Sequence, residues 1–472
     1  MSRWLDVAKH GLPQNNAPRK KVLILGAGIA GLVAAHELLK AGHTPIILEA
    51  QNRLGGRILT LRAPFAEGLH AEAGAMRIPQ THDLTLHYCQ HFGLKLYPFT
   101  MGNPNAYLYL NGRKLRAAQY RAGPELLAHE LDDHERGQTV QKMWNEAIRE
   151  FVTLVAAQGD TAWDDIVKQY DDYSTREFLE ARKWSEGAIE LFGLLENQEA
   201  NMNFAFVELL REEIGAYYTD LMQIEGGTDR LPYAFYPSLA PYLRLGAQVV
   251  ALDQDETAVT AHFKTLAGRF RETADYMICT LPFAVLRHLE ILKPFTHAKQ
   301  KAVRQLHYDA STKIFIQCRK RFWETDENVF GGGTVTDLAI RNLYYPEHGR
   351  ETGRGVLLAS YTWADDAERW ASLPPRERLE QALENIAQIH PQIVTEYESG
   401  ASWSWHDDPH AGGAFAMFEP GQQTRLYADI IRPEGRIHFA GEHASLAHAW
   451  IQGAIESGLR AAHEINELEV CA

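Results

Sequence analysis

Cysteine is scarce in this 472-residue chain: Cys89, Cys279, Cys318 and Cys471 stand far apart and form no C-x-x-C. That excludes a disulfide framework and a structural zinc site, and reduced thiols are expected. Long apolar runs are missing too. The longest, Val22 to Ala35, has 14 residues including three glycines and is bounded by Lys20-Lys21 and His36-Glu37, which is too short to span a bilayer. The N-terminus, MSRWLDVAKHGLPQNN, lacks the apolar core and small-residue cleavage site of a secretory signal, so a cytoplasmic location is expected. Basic residues are outnumbered, 47 Lys+Arg against 61 Asp+Glu, for a net charge of −14 with no block of like charges. Such a chain is ill suited to phosphate backbones or anionic lipid, and neither nucleic acid nor a membrane is expected as partner.

What is present is an ordinary globular composition, 45% hydrophobic and 23% charged. At about 150 residues per domain the length suggests about three units. Residues 21 to 50 read strand, glycine turn, helix, strand: KVLIL, then IAGLVAAHELLKAG, then TPIILE. This is a βαβ unit and predicts a parallel sheet. From about 122 to 222 glycine and proline are sparse and helical spacing dominates, with Ser174-Thr175-Arg176-Glu177 as a capping-box start, so this block is expected to be all helical. Strand chemistry returns in AQVVALDQ, AVTAHFKTL and DYMICTL, and again in KIFIQCR and GVLLASYTW. Near the end, RIHFAGE and WIQGAIESGLRAAHEI repeat the strand-then-helix opening.

The turn Gly26-Ala27-Gly28-Ile29-Ala30-Gly31 follows a strand and opens a helix, the context that G-x-G-x-x-G requires. Its first glycine permits the tight turn, the second lets backbone approach a pyrophosphate, and the third lets helix and sheet close up. The helix N-terminus presents free N–H groups to phosphate. Glu49 closes the second strand 18 residues after Gly31 (49 − 31), near the offset at which a carboxylate accepts ribose hydroxyls. No arginine follows Glu49 directly, which disfavours a 2′-phosphate. A dinucleotide is implied, without a choice between NAD and FAD.

Further motifs follow: Asn52-Arg53-Leu54-Gly55-Gly56-Arg57, Ala73-Gly74-Ala75-Met76-Arg77-Ile78-Pro79, Phe439-Ala440-Gly441-Glu442 and Ala449-Trp450-Ile451. In order and spacing this ensemble resembles the FAD-dependent flavin amine oxidase superfamily, most of all its L-amino acid oxidases, from about Lys20 to Glu464. The resemblance implies an α/β fold: a discontinuous Rossmann-type (GR2-like) FAD-binding domain over 19–61, 225–305 and 415–468, a mixed-sheet substrate domain over 62–115 and 306–414, and the helical insertion over 116–224. It places FAD against Gly26, Gly28, Ala30, Gly31, Glu49, Ala50, Gly56, Arg57, Gly74, Ala75, Met76, Arg77, Val249, Gly441, Glu442, Trp450 and Ile451. Physically, Gly55, Gly56 and Arg57 bring backbone and a cation to the pyrophosphate. Glu442 can accept a hydroxyl, and the helix after Trp450 aims its positive end at the flavin. Related monoamine oxidases attach their flavin through a C-terminal cysteine. None lies between Gly441 and Trp450, so non-covalent FAD is expected.

An α-carboxylate calls for a fixed cation, and arginine binds it bidentately. Arg77 matches the family's carboxylate-binding arginine, Tyr361 a tyrosine that also meets the carboxylate, and Lys313 a lysine that holds water at flavin N5. Their plain alternatives are a structural ion pair, a core tyrosine and an edge-strand lysine. Trp405, Ala449 and Trp450 are expected on the pocket wall, although bare tryptophans equally fill cores. The reaction implied is oxidative deamination: the Cα hydride passes to flavin N5, O2 takes the electrons as hydrogen peroxide, and water releases 2-oxo acid and ammonia. No general base is evident, so activity is expected to rise with pH.

The resemblance sets Phe204 to Tyr218 against a segment that in the venom enzymes brings a histidine towards the substrate; here the corresponding stretch is Arg211-Glu212-Glu213. If Glu212 or Glu213 faces the pocket, cationic side chains become plausible substrates; otherwise broad or aromatic ones do. The histidines 406/410 and 443/448 are not read as metal ligands, because Pro409 and the five-residue gap spoil the spacing. An amino acid 2-monooxygenase, an amine or polyamine oxidase, and a flavin-bound scaffold are the competing readings. A homodimer or larger homo-oligomer is expected by family analogy.

Overall fold

The computed structural model describes residues 4–13, 18–127 and 129–468. Five parallel strands form one sheet in the order Leu243–Arg244, Thr44–Leu48, Lys21–Leu25, Tyr276–Cys279, Ile437–Phe439. Its central strands are continuous apolar runs because both faces are covered. Val22 and Ile24 pack with Leu32, Val33, Ile455 and Leu459, from the helices Ile29–Lys40 and Ile451–Glu467. Leu23 and Leu25 point the other way, into a core shared with Leu252, Val259 and Phe263 of an antiparallel meander. The two helices meet closely because Gly458 has no side chain, and a Cβ there would lie 2.5 Å from the Ala30 carbonyl oxygen. Buried Lys20 donates to the carbonyls of Ile465 (2.6 Å), Asn466 (3.2 Å) and Leu468, satisfying the otherwise orphaned end of the last helix.

A second, seven-stranded mixed sheet runs in the order Tyr397–Ser404, Ser311–Cys318, Gly355–Trp363, Asn342–Tyr344, Gly333–Thr336, Tyr107–Leu110, Arg113–Arg116. The Ser311–Cys318 strand is buried along its whole length between two neighbours, so Lys313 is not on an edge. Helices from Val140–Ala147 to Phe206–Ile214 build an aromatic core around Trp144, Phe151, Phe178, Phe192 and Phe206. Phe178 and Phe206 stack at 3.7 Å. Ser174 and Glu177 form the reciprocal capping box. The block is not helical to its end: Leu221–Ile224 is a strand, paired antiparallel with Ile78–Pro79 and Leu96–Pro98. The preceding helix ends at Gly215, the N–H groups of Ala216, Tyr217 and Thr219 close turns onto the carbonyls of Glu213, Glu212 and Ala216, and ladder pairing begins at Leu221. No helix among the described residues is long and apolar enough to cross a membrane.

Candidate active site

The Lys21–Leu25 strand ends at Gly26 (φ +100°), and the following helix starts after Gly28. A Cβ on Gly31 would lie 2.2 Å from the Gly26 carbonyl oxygen, so helix and strand meet only because that residue is glycine. A Cβ on Gly28 would meet nothing within 4 Å, because it would project into a cavity. Glu49, beside this turn, accepts hydrogen bonds from the N–H groups of Ala27 and Gln51, both at 2.8 Å. These bonds fix the carboxylate while leaving lone pairs for a ligand hydroxyl. Burial pushes its pKa up, and the two bonds oppose that shift.

The Gly55 N–H donates to the Ala27 carbonyl at 2.9 Å, tying a second glycine turn to the first. At Gly74 a Cβ would sit 1.9 Å from the Arg57 carbonyl oxygen, so this stretch and residues 57–59 lie against each other without side chains between. Arg57, read as a phosphate partner, donates from Nη1 to Glu442 Oε1 at 2.7 Å and to the Ala414 carbonyl at 3.1 Å. Glu442 also accepts from the Ala416 and Ala449 N–H groups at 3.2 Å. Burial alone would raise the Glu442 pKa, but Arg57, His448 and His443 hold it below the usual carboxylate range. Ala449 reaches Glu442 from the left-handed region, at φ 65°. Trp450 then caps the Ile451–Glu467 helix, whose Ile451 and Ala454 reach the cavity wall.

Lys313 and Tyr361 face each other in register on adjacent strands of the second sheet. Lys313 is 2% exposed and donates from Nζ to the carbonyls of Glu72 (3.0 Å) and Gly74 (2.7 Å), with the Tyr361 ring centroid 4.5 Å away. Burial, then repulsion from Arg77, pulls its pKa down to about 7. Arg77 is 8% exposed; its Nη1 lies 3.1 Å from Met101 Sδ, and its guanidinium carbon 5.2 Å from the Tyr218 ring centroid. Among the described residues no carboxylate lies within 4.0 Å of it. Trp405 donates from Nε1 to the Ala73 carbonyl at 2.8 Å, and Trp450 from Nε1 to Glu212 at 2.7 Å.

One cavity joins all these groups. It is lined by Gly26, Gly28, Ala30, Glu49, Ala50, Gly56, Arg57 and Val249 at the glycine turns. Gly74, Ala75, Met76, Arg77, Lys313, Tyr361, Trp405, Gly441, Glu442, Ala449, Trp450 and Ile451 continue the wall, and Glu212 completes it on the helical side. Gly31 lies off the wall because its work is helix–strand contact, and Glu213 lies off it too. Two helix N-termini therefore open on one cavity. That fits an elongated dinucleotide with a pyrophosphate at one end and an electron-accepting ring at the other.

Sequence reasoning missed Tyr218, Glu208 and Trp363, which line the cavity, and Met101 and the Glu72 carbonyl, which lie off its wall and meet Arg77 and Lys313. Glu208 was legible in principle: Ala205, Glu208, Leu209 and Glu212, all on the wall, follow the 3-and-4 spacing of one helical face. His448, set aside as a metal ligand, lies 3.0 Å from Glu208. No cluster of three or more His, Cys, Asp or Glu among the described residues is placed to hold a metal ion.

Comparison with known proteins agrees with this geometry. The family model for flavin containing amine oxidoreductases matches residues 29–466. A putative L-amino-acid oxidase of Bacillus subtilis (strain 168), YobN, is 41% identical over 98% of this chain and 98% of its own. The L-amino-acid oxidase of Naja atra is 34% identical over 98% of this chain and 91% of its own. Among solved structures, cyclohexylamine oxidase from Brevibacterium oxydans IH-35A superposes with a TM-score of 0.76 at 19% identity, covering 95% of this chain and 99% of that one, a likeness of fold.

Proposed function

Because the chain belongs to the flavin containing amine oxidoreductase family, with FAD as its cofactor, we propose that it is an L-amino acid oxidase. It converts an L-α-amino acid, water and O2 into 2-oxo acid, ammonia and hydrogen peroxide. The observation that carries this reading is Arg77, a buried guanidinium with no carboxylate partner among the described residues, on the wall of the cavity onto which both helix N-termini open. A buried cation without an anion is costly. An α-carboxylate supplies that anion and a simple amine does not.

When bound, FAD supplies hydride acceptance at N5 and the return of electrons to O2. Arg77 and the Tyr361 hydroxyl hold the α-carboxylate, which fixes the direction of the Cα–H bond. Trp405 and Trp450 are pinned through their indole N–H groups, so the walls keep water out without rotating. Two N–H bonds of Lys313 are committed to backbone carbonyls, which aims the rest of the amine at a water for flavin reoxidation or imine hydrolysis. Residues 19–61, 225–305 and 415–468 form the FAD-binding unit, 62–115 with 306–414 the substrate unit, and 116–224 the third unit, helical as far as the strand Leu221–Ile224, which pairs with the substrate unit. Non-covalent attachment is supported by Cys89, Cys279 and Cys318, all buried and none on the cavity wall; Cys471 lies outside the described residues. By family analogy the assembly is read as a homodimer or larger homo-oligomer, and the free, buried Cys89, Cys279 and Cys318 fit a reducing compartment such as the cytoplasm. Side-chain preference lies between broad or aromatic and cationic.

Product analysis tests the reading. One peroxide and one 2-oxo acid per amino acid consumed support it. An amide with carbon dioxide instead moves the protein to the amino acid 2-monooxygenases, and turnover of amines alone moves it to the amine or polyamine oxidases.

A further inference from the structure

The helix Phe206–Ile214 turns two carboxylates, one helical turn apart, towards the substrate half of the cavity. Glu208 is 6% exposed, and its Oε1 lies 3.0 Å from His448 Nδ1. Glu212 accepts from Trp450 Nε1 at 2.7 Å and from the Tyr218 hydroxyl at 2.8 Å. Neither meets a lysine or arginine within 4.0 Å among the described residues. Arg211, between them in sequence, lies over the Trp163 ring at 4.6 Å and donates to Gln423 at 3.2 Å. Glu213 is also off the wall. Helix phase has therefore selected the two acids that face the cavity.

Tyr218 links this acidic wall to the carboxylate site. Its ring face lies beside Arg77 and its hydroxyl is on Glu212, so one tyrosine spans the gap between the cation and the acid. A substrate anchored by its α-carboxylate at Arg77 can lay its side chain along that tyrosine and reach Glu212. An apolar side chain ending there would leave a buried carboxylate with neutral donors only, whereas a cation adds a charge-assisted bond. Glu208 already has His448 Nδ1 as a partner at 3.0 Å, so Glu212 makes the direct contact and Glu208 is the second acid of the wall. Burial pushes Glu212 up to about 7 despite its two hydrogen bonds; a bound cation reverses that shift and keeps the group ionised.

We propose that Glu212, backed by Glu208, forms a subsite for the side-chain cation of the substrate, so that L-arginine and L-lysine are the preferred substrate class; this rests on the L-amino acid oxidase reading above. Matched pairs test it with the intact flavoprotein: L-arginine against L-citrulline, and L-lysine against L-norleucine, each followed by anaerobic flavin bleaching. The cationic member of each pair is expected to have at least about tenfold higher kcat/KM, equivalent to about 1.4 kcal/mol. Glu212→Gln narrows that ratio several-fold, and Glu208→Gln narrows it less. Should Glu212→Gln fail to fold, the wild-type ratios decide. Equal or faster bleaching by citrulline and norleucine overturns the subsite while leaving the oxidase reading intact, and so does an unchanged ratio in a folded Glu212→Gln. No bleaching by these four, nor by leucine or phenylalanine, overturns the oxidase reading itself.

Discussion

The two sheets supply the cavity with different kinds of group. The five-stranded parallel sheet brings mainly backbone and small residues: glycine turns, helix N-termini, and the Glu49 carboxylate fixed on main-chain N–H groups. The seven-stranded sheet brings side chains, with Lys313 and Tyr361 facing each other across adjacent strands and Trp405 reaching back to the Ala73 carbonyl. One half is sensitive to added atoms and the other to removed ones. Grip on a large invariant ligand can be built from main chain, whereas selection of a reacting group needs charge and a proton at one point.

Adding one carbon is the sharpest way to break that contrast. Gly31→Ala forces a Cβ onto the Gly26 carbonyl, and Gly74→Ala one onto Arg57. Both are expected to yield protein that is insoluble or free of flavin, checked by the absorbance of the purified product. Gly28→Ala meets nothing within 4 Å, so that variant is expected to fold, with its methyl group in the cavity and weakened FAD retention in dialysis. Next in size is removal of charge from the side-chain wall of the cavity, formed by Lys313 and Tyr361 of the seven-stranded sheet and by Arg77 next to the short strand Ile78–Pro79. Arg77→Ala should keep its yellow colour and lose about 10²–10³-fold in kcat/KM for amino acids, mostly through KM; an unchanged KM removes the assigned role. Lys313→Met should slow flavin reoxidation or imine hydrolysis by about tenfold while leaving anaerobic bleaching nearly as fast, read by stopped flow.

The smallest effect lies outside the cavity. Burial and the neighbouring Glu213 push Glu196 up to about 7, from 4.5. Between those values the folded chain holds a proton that the unfolded chain lacks, so this residue's contribution to stability falls as pH rises from about 4.5 to about 7. Glu196→Gln should therefore raise Tm at pH 8 by about 1–2 °C and leave it nearly unchanged near pH 4.5. An equal shift at both pH values would show that the gain is packing.

This difference between the halves also decided what was legible in the sequence. The glycine turn, Glu49 and the terminal strand and helix were readable because local backbone geometry demands particular residues at fixed offsets. Arg77, Lys313 and Tyr361 were singled out chiefly through resemblance, since they are distant in sequence and converge only when two sheets and a helical block pack. Arg57 and Glu442 were each read against a ligand, and their mutual ion pair needed coordinates. The strand Leu221–Ile224 escaped notice because its partners lie more than 120 residues earlier, in two very short strands. Whether Glu212 or Glu213 faced the cavity turned on helix phase, which the sequence left open and the Phe206–Ile214 helix resolves for Glu212.

The most direct measurement is anaerobic mixing of the purified yellow protein with L-amino acids, their D-forms and the corresponding decarboxylated amines. Bleaching by L-forms alone, with colour and one equivalent of peroxide returning on admission of air, is the expected result, and it requires both the α-carboxylate and its stereochemistry to be read at Arg77. Bleaching by the amines but by none of the amino acids would contradict the assignment of Arg77, and with it the proposed function.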